Sequence, residues 1–162
     1  MINRLRRNVT STGAGFYFLL VILLATSASG FVPPVSASTY DTVLVDVKSE
    51  TGLRRGTITA RIANTPRKRY DGLRGMTELD TNAGMLFLYA DSRRRNFTMV
   101  GVEIPLDIMF VDRTGRILSI RTARPGTEDV PSEQPIRYVL ETNGGWAQRR
   151  GVQVGDVIRT RN

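Results

Sequence analysis

A chain of 162 residues with 41% hydrophobic content and a formal charge of +8 has room for one domain of ordinary size built around one core. It contains no cysteine and no histidine, which excludes disulfides, zinc-finger sites, a cysteine nucleophile and any histidine-based triad. Catalysis would have to rest on carboxylates, hydroxyls, Lys, Arg or an oxygen-ligated metal.

The chain opens with Arg4, Arg6 and Arg7 and no acid, then enters the ten apolar residues 16–25, FYFLLVILLA. This is the layout of a secretory signal, and the apolar run is shorter than the roughly 20 residues that span a bilayer. Val35-Ser36-Ala37, following Pro33-Pro34, supplies small residues for cleavage. Residues 1–37 are therefore expected to be a signal peptide, and the mature chain to be exported to the periplasm or beyond. Kept uncleaved, the same segment would be an anchor, the one membrane contact expected. No Cys follows the run, so a bacterial lipoprotein is excluded. Loss of the three arginines lowers the formal charge to about +5, so part of the basic character belongs to the leader.

Residues 38–55 form an N-terminal extension with a first strand at 43–47, where Val43, Val45 and Val47 share a face. A polar turn around Gly52 leads to a second alternating strand at 57–63, and the two suggest a hairpin at an end of the sheet. The domain proper is expected over 56–160. Asn64 or Thr65 can cap a short helix with Pro66 at its first position, ending near Gly72 or Gly75. Its Arg67, Lys68 and Arg69 read as a solvated charged face. The loop 76–83 tucks Leu79 beneath the sheet.

The densest apolar alternation lies at 84–120, with strands at 85–89, 96–99 and 106–111. The last turns through Asp112-Arg113-Thr114-Gly115 into 116–120, since Asp can start a turn with its side chain and Gly can supply a positive φ. Leu106, Ile108 and Phe110 share one apolar face. Asp107, Met109 and Val111 share the other, so Asp107 sits where a carboxylate needs donors, because burying it bare would cost several kcal/mol. Arg93-Arg94-Arg95 lacks interleaved aromatics, and no nucleic-acid partner is expected. Beyond 120, Pro125, Pro131 and Pro135 punctuate a long loop of the kind that often carries function. A strand at 136–142, a short helix at 146–150 opened by Gly144-Gly145, and 152–158 with a Gly155-Asp156 turn and a closing strand complete the chain. The pattern is mainly β: a compact antiparallel sandwich or barrel-like domain with one or two short helices.

Several blocks carry a resemblance in order and spacing. They are Gly72-Leu73 with Gly75, Gly84-Met85-Leu86-Phe87, Phe97 with Met99, Ile104-Pro105-Leu106-Asp107, Gly115 with Ile117, Tyr138-Val139-Leu140-Glu141, Gly144 or Gly145, and Gly155-Asp156. Over about 57–158 the chain resembles the family Domain of Unknown Function 192. The resemblance implies a compact, mainly β, often exported domain and no established activity. Two departures stand out. Thr98 replaces an aromatic between Phe97 and Met99, and Val100-Gly101-Val102 replaces a polar run. Met76 stands where the family commonly has Arg, with Arg74 two residues earlier as a substitute. If that polar run lines a pocket, the pocket of this chain is more apolar or degenerate.

The acids near strand ends are Asp107, Glu141 and Asp156. Two of them on neighbouring strands, about 5 to 9.5 Å apart, could hydrolyse a glycan or similar envelope polymer. Structural roles in turns or in pairs with Arg74 or Arg137 are favoured instead. No calcium loop of alternating acids occurs, and neither a metal nor a cofactor is implied. The expected function is therefore a non-catalytic module of the cell envelope that binds an unknown small ligand or an envelope protein. Its binding surface would draw on Arg74, Phe97, Met99, Pro105, Asp107, Glu141 and Asp156, with the loops 97–105 and 124–135.

Overall fold

Strand β5 (Leu106–Val111) and strand β6 (Ile117–Ala123) form the expected hairpin. The Asp112 carboxylate accepts from the Thr114 amide at 2.7 Å, the Thr114 hydroxyl at 2.6 Å and the Arg116 amide at 3.0 Å. Gly115 takes the positive φ of 86° that closes the turn. The computed structural model describes residues 39–161, and the expected signal segment 1–37 lies outside them.

Strands β5 and β6 are joined by β1 (Thr42–Lys48), β2 (Arg54–Ala63), β3 (Ala83–Arg93), β8 (Ile136–Asn143) and β9 (Val157–Arg161). The seven strands make one sheet in the order β6-β5-β8-β3-β2-β1-β9. The mainly β, barrel-like architecture read from the sequence is the one found. All pairs are antiparallel except β2 with β3, which run parallel. Helix α1 (Pro66–Asp71) and the loop after it carry the chain back across the sheet, and such a crossover is what a parallel pair needs. β1 pairs with β2 on one side and with β9 on the other, and β9 takes the edge.

The sheet curls until its edge strands meet at one end. The Ile117 amide donates to the Asp156 carbonyl and the Ile158 amide to the Gly115 carbonyl, both at 2.8 Å, and Arg116 bridges to Val157. The result is a half-barrel with part of its open edges paired, which protects them from pairing with other chains. Among the described residues, the concave face gathers Val45, Ile58, Leu86, Met109, Ile117, Leu140 and Ile158 around Trp146 of α2 (Trp146–Arg149). The convex face carries a second core of Met85, Phe87, Leu106, Ile108, Phe110 and Val139, under α1 and the loop 97–104. Leu106, Ile108 and Phe110 thus pack with Phe87, as alternation requires, while Leu86 points the other way. Gly84 lets β3 and β8 approach, since a Cβ there would collide with the carbonyl of Glu141.

One expected strand is shorter than the sequence suggested. The run at 96–99 contributes only β4 (Asn96–Phe97), paired with β7 (Val130–Pro131) from the long loop. The Met99 amide turns away to the Thr127 carbonyl at 2.7 Å, and the Val102 amide closes a turn on Met99 at 3.0 Å. At the C-terminus, Asp156 accepts from the Gln153 amide at 3.0 Å, so 153–156 is a turn and β9 starts at Val157.

Helix α1 follows its capping signal. The Thr65 hydroxyl accepts from the Lys68 amide at 3.2 Å, Pro66 opens the helix and Gly72 closes it with φ 52°. Thr65→Ala is expected to cost about 1 kcal/mol in a urea melt, the usual value of such a cap. A loss below about 0.3 kcal/mol would show that tertiary contacts alone hold α1.

Candidate functional site

A cavity of about 180 Å³ lies on the convex side, between the sheet and the layer that covers it. Its floor is Glu141 on β8, whose neighbours across the ladder are Met85 on β3 and Ile108 on β5. Its walls are apolar: Leu73 after α1, Phe87 from β3, and Phe97, Met99 and Val102 from the covering loop. Phe97 holds its edge-to-face position between Phe87 at 5.4 Å and Phe110 at 5.7 Å. The two covering segments are pinned together where the Gly75 amide donates to the Gly101 carbonyl at 2.8 Å.

Glu141 is 6% exposed and its carboxyl makes no hydrogen bond or ion pair with any described residue. Loss of hydration without compensating donors pushes its pKa up to about 8, against the pull of the Arg74 charge. It is thus mostly protonated at neutral pH, able to donate a hydrogen bond as well as accept one.

The mouth is basic and aromatic. Arg74 stacks over the Tyr70 ring at 4.9 Å, donates to the Tyr70 carbonyl and lies along Gly101. Its charge is felt at Glu141, yet the two do not close into an ion pair. Tyr89 is flanked by two guanidiniums, Arg69 at 5.0 Å and Arg95 at 3.6 Å from the ring. Arg69 is fixed there by its bond to the Leu88 carbonyl at 2.9 Å. Burial raises the Tyr89 pKa above the ordinary phenol value.

The structure brings Arg74, Phe97, Met99 and Glu141 into this one cavity. It places Pro105, Asp107 and Asp156 elsewhere. Pro105 is exposed, and its carbonyl accepts from the Gly144 amide at 2.9 Å. Asp156 accepts from Arg55 at 3.1 Å at the end of the half-barrel where the edges meet. Asp107 stands across from Thr142, and Glu141 across from Ile108, so the two acids point to opposite faces of the sheet. They cannot act together on one bond in one cleft. Nor does Asp107 pair with Arg74 or Arg137. It accepts from the Thr122 hydroxyl at 2.7 Å and the Gly145 and Ala147 amides at 3.0 and 2.8 Å, while Arg137 donates to the Ala90 carbonyl.

Arg69, Leu73, Tyr89 and Val102 were missed from the sequence. Of the supposed solvated face only Arg67 is open to water, held by Asp71, while Lys68 lies over Tyr40. The loop 124–135 does not line the cavity but supports its wall, through Met99 on Thr127 and the Val130 amide on Asn96 at 3.0 Å. Thr98 and Val102, two of the departures noted in the sequence, line the cavity, while Val100 faces solvent.

Among the described residues no group of three or more acids could hold a metal ion, and no helix is long and apolar enough to cross a membrane. Four larger depressions, beside Arg61 and Met76, beside Leu88 and Tyr138, beside Glu50 and Arg116, and beside Arg94 and Asp129, are more open.

The profile of the family described as DUF192, Uncharacterized ACR, matches residues 47–160. Among solved structures, a proposed transcription regulator from Sinorhizobium meliloti 1021 is similar at 30% identity, with a TM-score of 0.73 over 76% of this chain and 97% of that one. A protein of unknown function from Novosphingobium aromaticivorans DSM 12444 is similar at 36% identity, with a TM-score of 0.71 over 78% of this chain and 89% of that one. No curated protein matches.

Proposed function

The chain belongs to the DUF192 family, whose members are uncharacterized, and from that premise we propose, on the site alone, that it is a non-catalytic binding domain of the cell envelope with its ligand seated on Glu141. The observation that carries this reading is the buried carboxyl itself. An acid that is 6% exposed, with no hydrogen-bond partner and with a cavity above it, is held at a cost that a bound polar group would repay. A cavity of about 180 Å³ is smaller than the ~300 Å³ at which drug-sized sites begin, so the ligand is a small molecule of one ring or less. The envelope location rests on Arg4, Arg6 and Arg7 ahead of the apolar run 16–25, and predicts a mature chain starting near Ser38.

The label of the Sinorhizobium relative is not adopted for this chain. In the Arg93-Arg94-Arg95 run, Arg93 and Arg95 are both engaged by Asp91 and Arg95 is stacked on Tyr89, which leaves little for phosphates. The test is a thermal-shift screen of small polar and aromatic compounds against the intact chain and Glu141→Leu. Hits should raise the melting midpoint of the wild type and fail to do so in the variant. Hits that shift both proteins equally would place the ligand elsewhere, and a screen without hits would remove the reading.

A further inference from the structure

We infer that the cavity is built for a small monocarboxylate with an apolar body of about one ring, whose carboxylate bridges the Glu141 carboxyl and the Arg74 guanidinium. This deepens the reading of the cavity as a ligand site and rests on it. The first argument is the sign of the field. Arg69 and Arg74 line the cavity and Arg95 backs Tyr89, whereas Glu141 is the one acid in the lining. A cationic ligand would meet two guanidiniums for one carboxyl, so an anion is favoured.

The second argument is the supply of donors. Arg74 is near enough to act on Glu141 by charge but stays apart from it, and the space between them is the cavity. A carboxylate there accepts from both: a charge-assisted bond from the guanidinium and one from the protonated carboxyl, the shorter and stronger kind of hydrogen bond. A neutral alcohol would satisfy Glu141 and leave Arg74 unused. The third argument is size. A cavity near 150 Å³ takes benzene, and this one adds about the room of a carboxylate, with the faces and edges of Phe87 and Phe97 beside it.

Binding in this form requires the proton on Glu141. The titratable and charged groups around it are Arg69 and Tyr70 from α1, Arg74 after α1, and Tyr89 from β3, while its ladder neighbours Met85 and Ile108 are apolar. The arginines keep their charge, and the Tyr89 pKa is raised beyond the working range. Affinity should therefore fall as pH rises past about 8, the value at which Glu141 ionises in the free protein.

The experiment titrates benzoate, benzyl alcohol and benzylamine into the intact chain, following affinity by calorimetry at pH 6.5 and pH 9. Benzoate should bind at pH 6.5 and weaken about tenfold by pH 9, with the alcohol and the amine at least about tenfold weaker than benzoate at pH 6.5. Glu141→Gln keeps a donor and removes the titration, so it should retain benzoate binding and lose its pH dependence. Arg74→Met should weaken benzoate about tenfold, and circular dichroism of both variants shows whether each has folded. If Glu141→Gln does not fold, Glu141→Leu takes its place and should lose benzoate outright. Tighter binding of the amine or the alcohol overturns the ligand class and leaves a ligand pocket in place. Benzoate binding that survives both Glu141→Leu and Arg74→Met places the ligand elsewhere, and no binding by any of the three overturns the class and the pocket together.

Discussion

Asp107→Ala is expected to cost the fold about 3 to 5 kcal/mol. Asp107 is 1% exposed and accepts three hydrogen bonds, one from Thr122 on the neighbouring strand and two from the amides of Gly145 and Ala147. Those amides open α2, whose Trp146 and Ala147 plug the concave core. Truncation leaves one buried amide and one part-buried amide without an acceptor, at about 1 to 3 kcal/mol each, while the Thr122 hydroxyl can rotate to another partner. It also frees the one side chain that ties the β8–α2 corner to β5. Asp107→Asn keeps a single acceptor oxygen and turns an NH2 toward a donor, so roughly half the loss should remain. Urea melts of both variants check this. A loss under about 1 kcal/mol for Asp107→Ala would mean that the corner holds itself, and a gain in stability would reopen a functional role for this acid.

What was legible in the sequence was what is local. The turn at Asp112 to Gly115 is specified by four adjacent residues, and the two faces of β5 follow from alternation alone. The parallel pairing of β2 with β3 was not legible. Strand direction is set by the path of the crossover, and nothing in the two segments themselves encodes it. Glu141 shows why the site was only half visible. It shares a strand face with Arg137 and Val139, which reads as a mixed and mostly solvated pattern. The covering layer reaches only part of that face, so Arg137 stays half-exposed while Val139 and Glu141 are buried. The opposed faces of Asp107 and Glu141 needed the register of β5 against β8, one residue of slip being enough to bring them together. Arg69 was hidden for another reason: α1 has six residues, too few for a helical period to show which arginine turns inward.

Glu141→Gln is expected to abolish a steep loss of stability between about pH 5 and pH 8 in the wild type. Burial lifts the Glu141 pKa from 4.5 to about 8, so across that window the folded protein keeps a proton that the unfolded chain has released. The unfolded state binding fewer protons means that stability falls as pH rises. The contribution is fully present below about 4.5 and gone once pH has passed about 8. At its steepest the slope is about 1.4 kcal/mol per pH unit, and the whole loss is on the order of 5 kcal/mol. Other shifted groups do not mimic this. The hydrogen bond from Arg161 holds Asp46 well below the ordinary carboxylate range, so its contribution is lost only in strong acid, and Tyr89 titrates on the alkaline side. Melts at pH 5 and pH 9 separate the cases: Glu141→Gln should match or trail the wild type at pH 5 and exceed it by about 2 to 4 kcal/mol at pH 9. Parallel profiles for the two proteins would mean that the carboxyl finds donors in solution, and with them would go the argument that it waits for a ligand. If the profiles cross as expected, a mainly β domain is keeping an unpartnered acid in its convex core at a cost to its own stability, which is what a group held for binding looks like in thermodynamic terms.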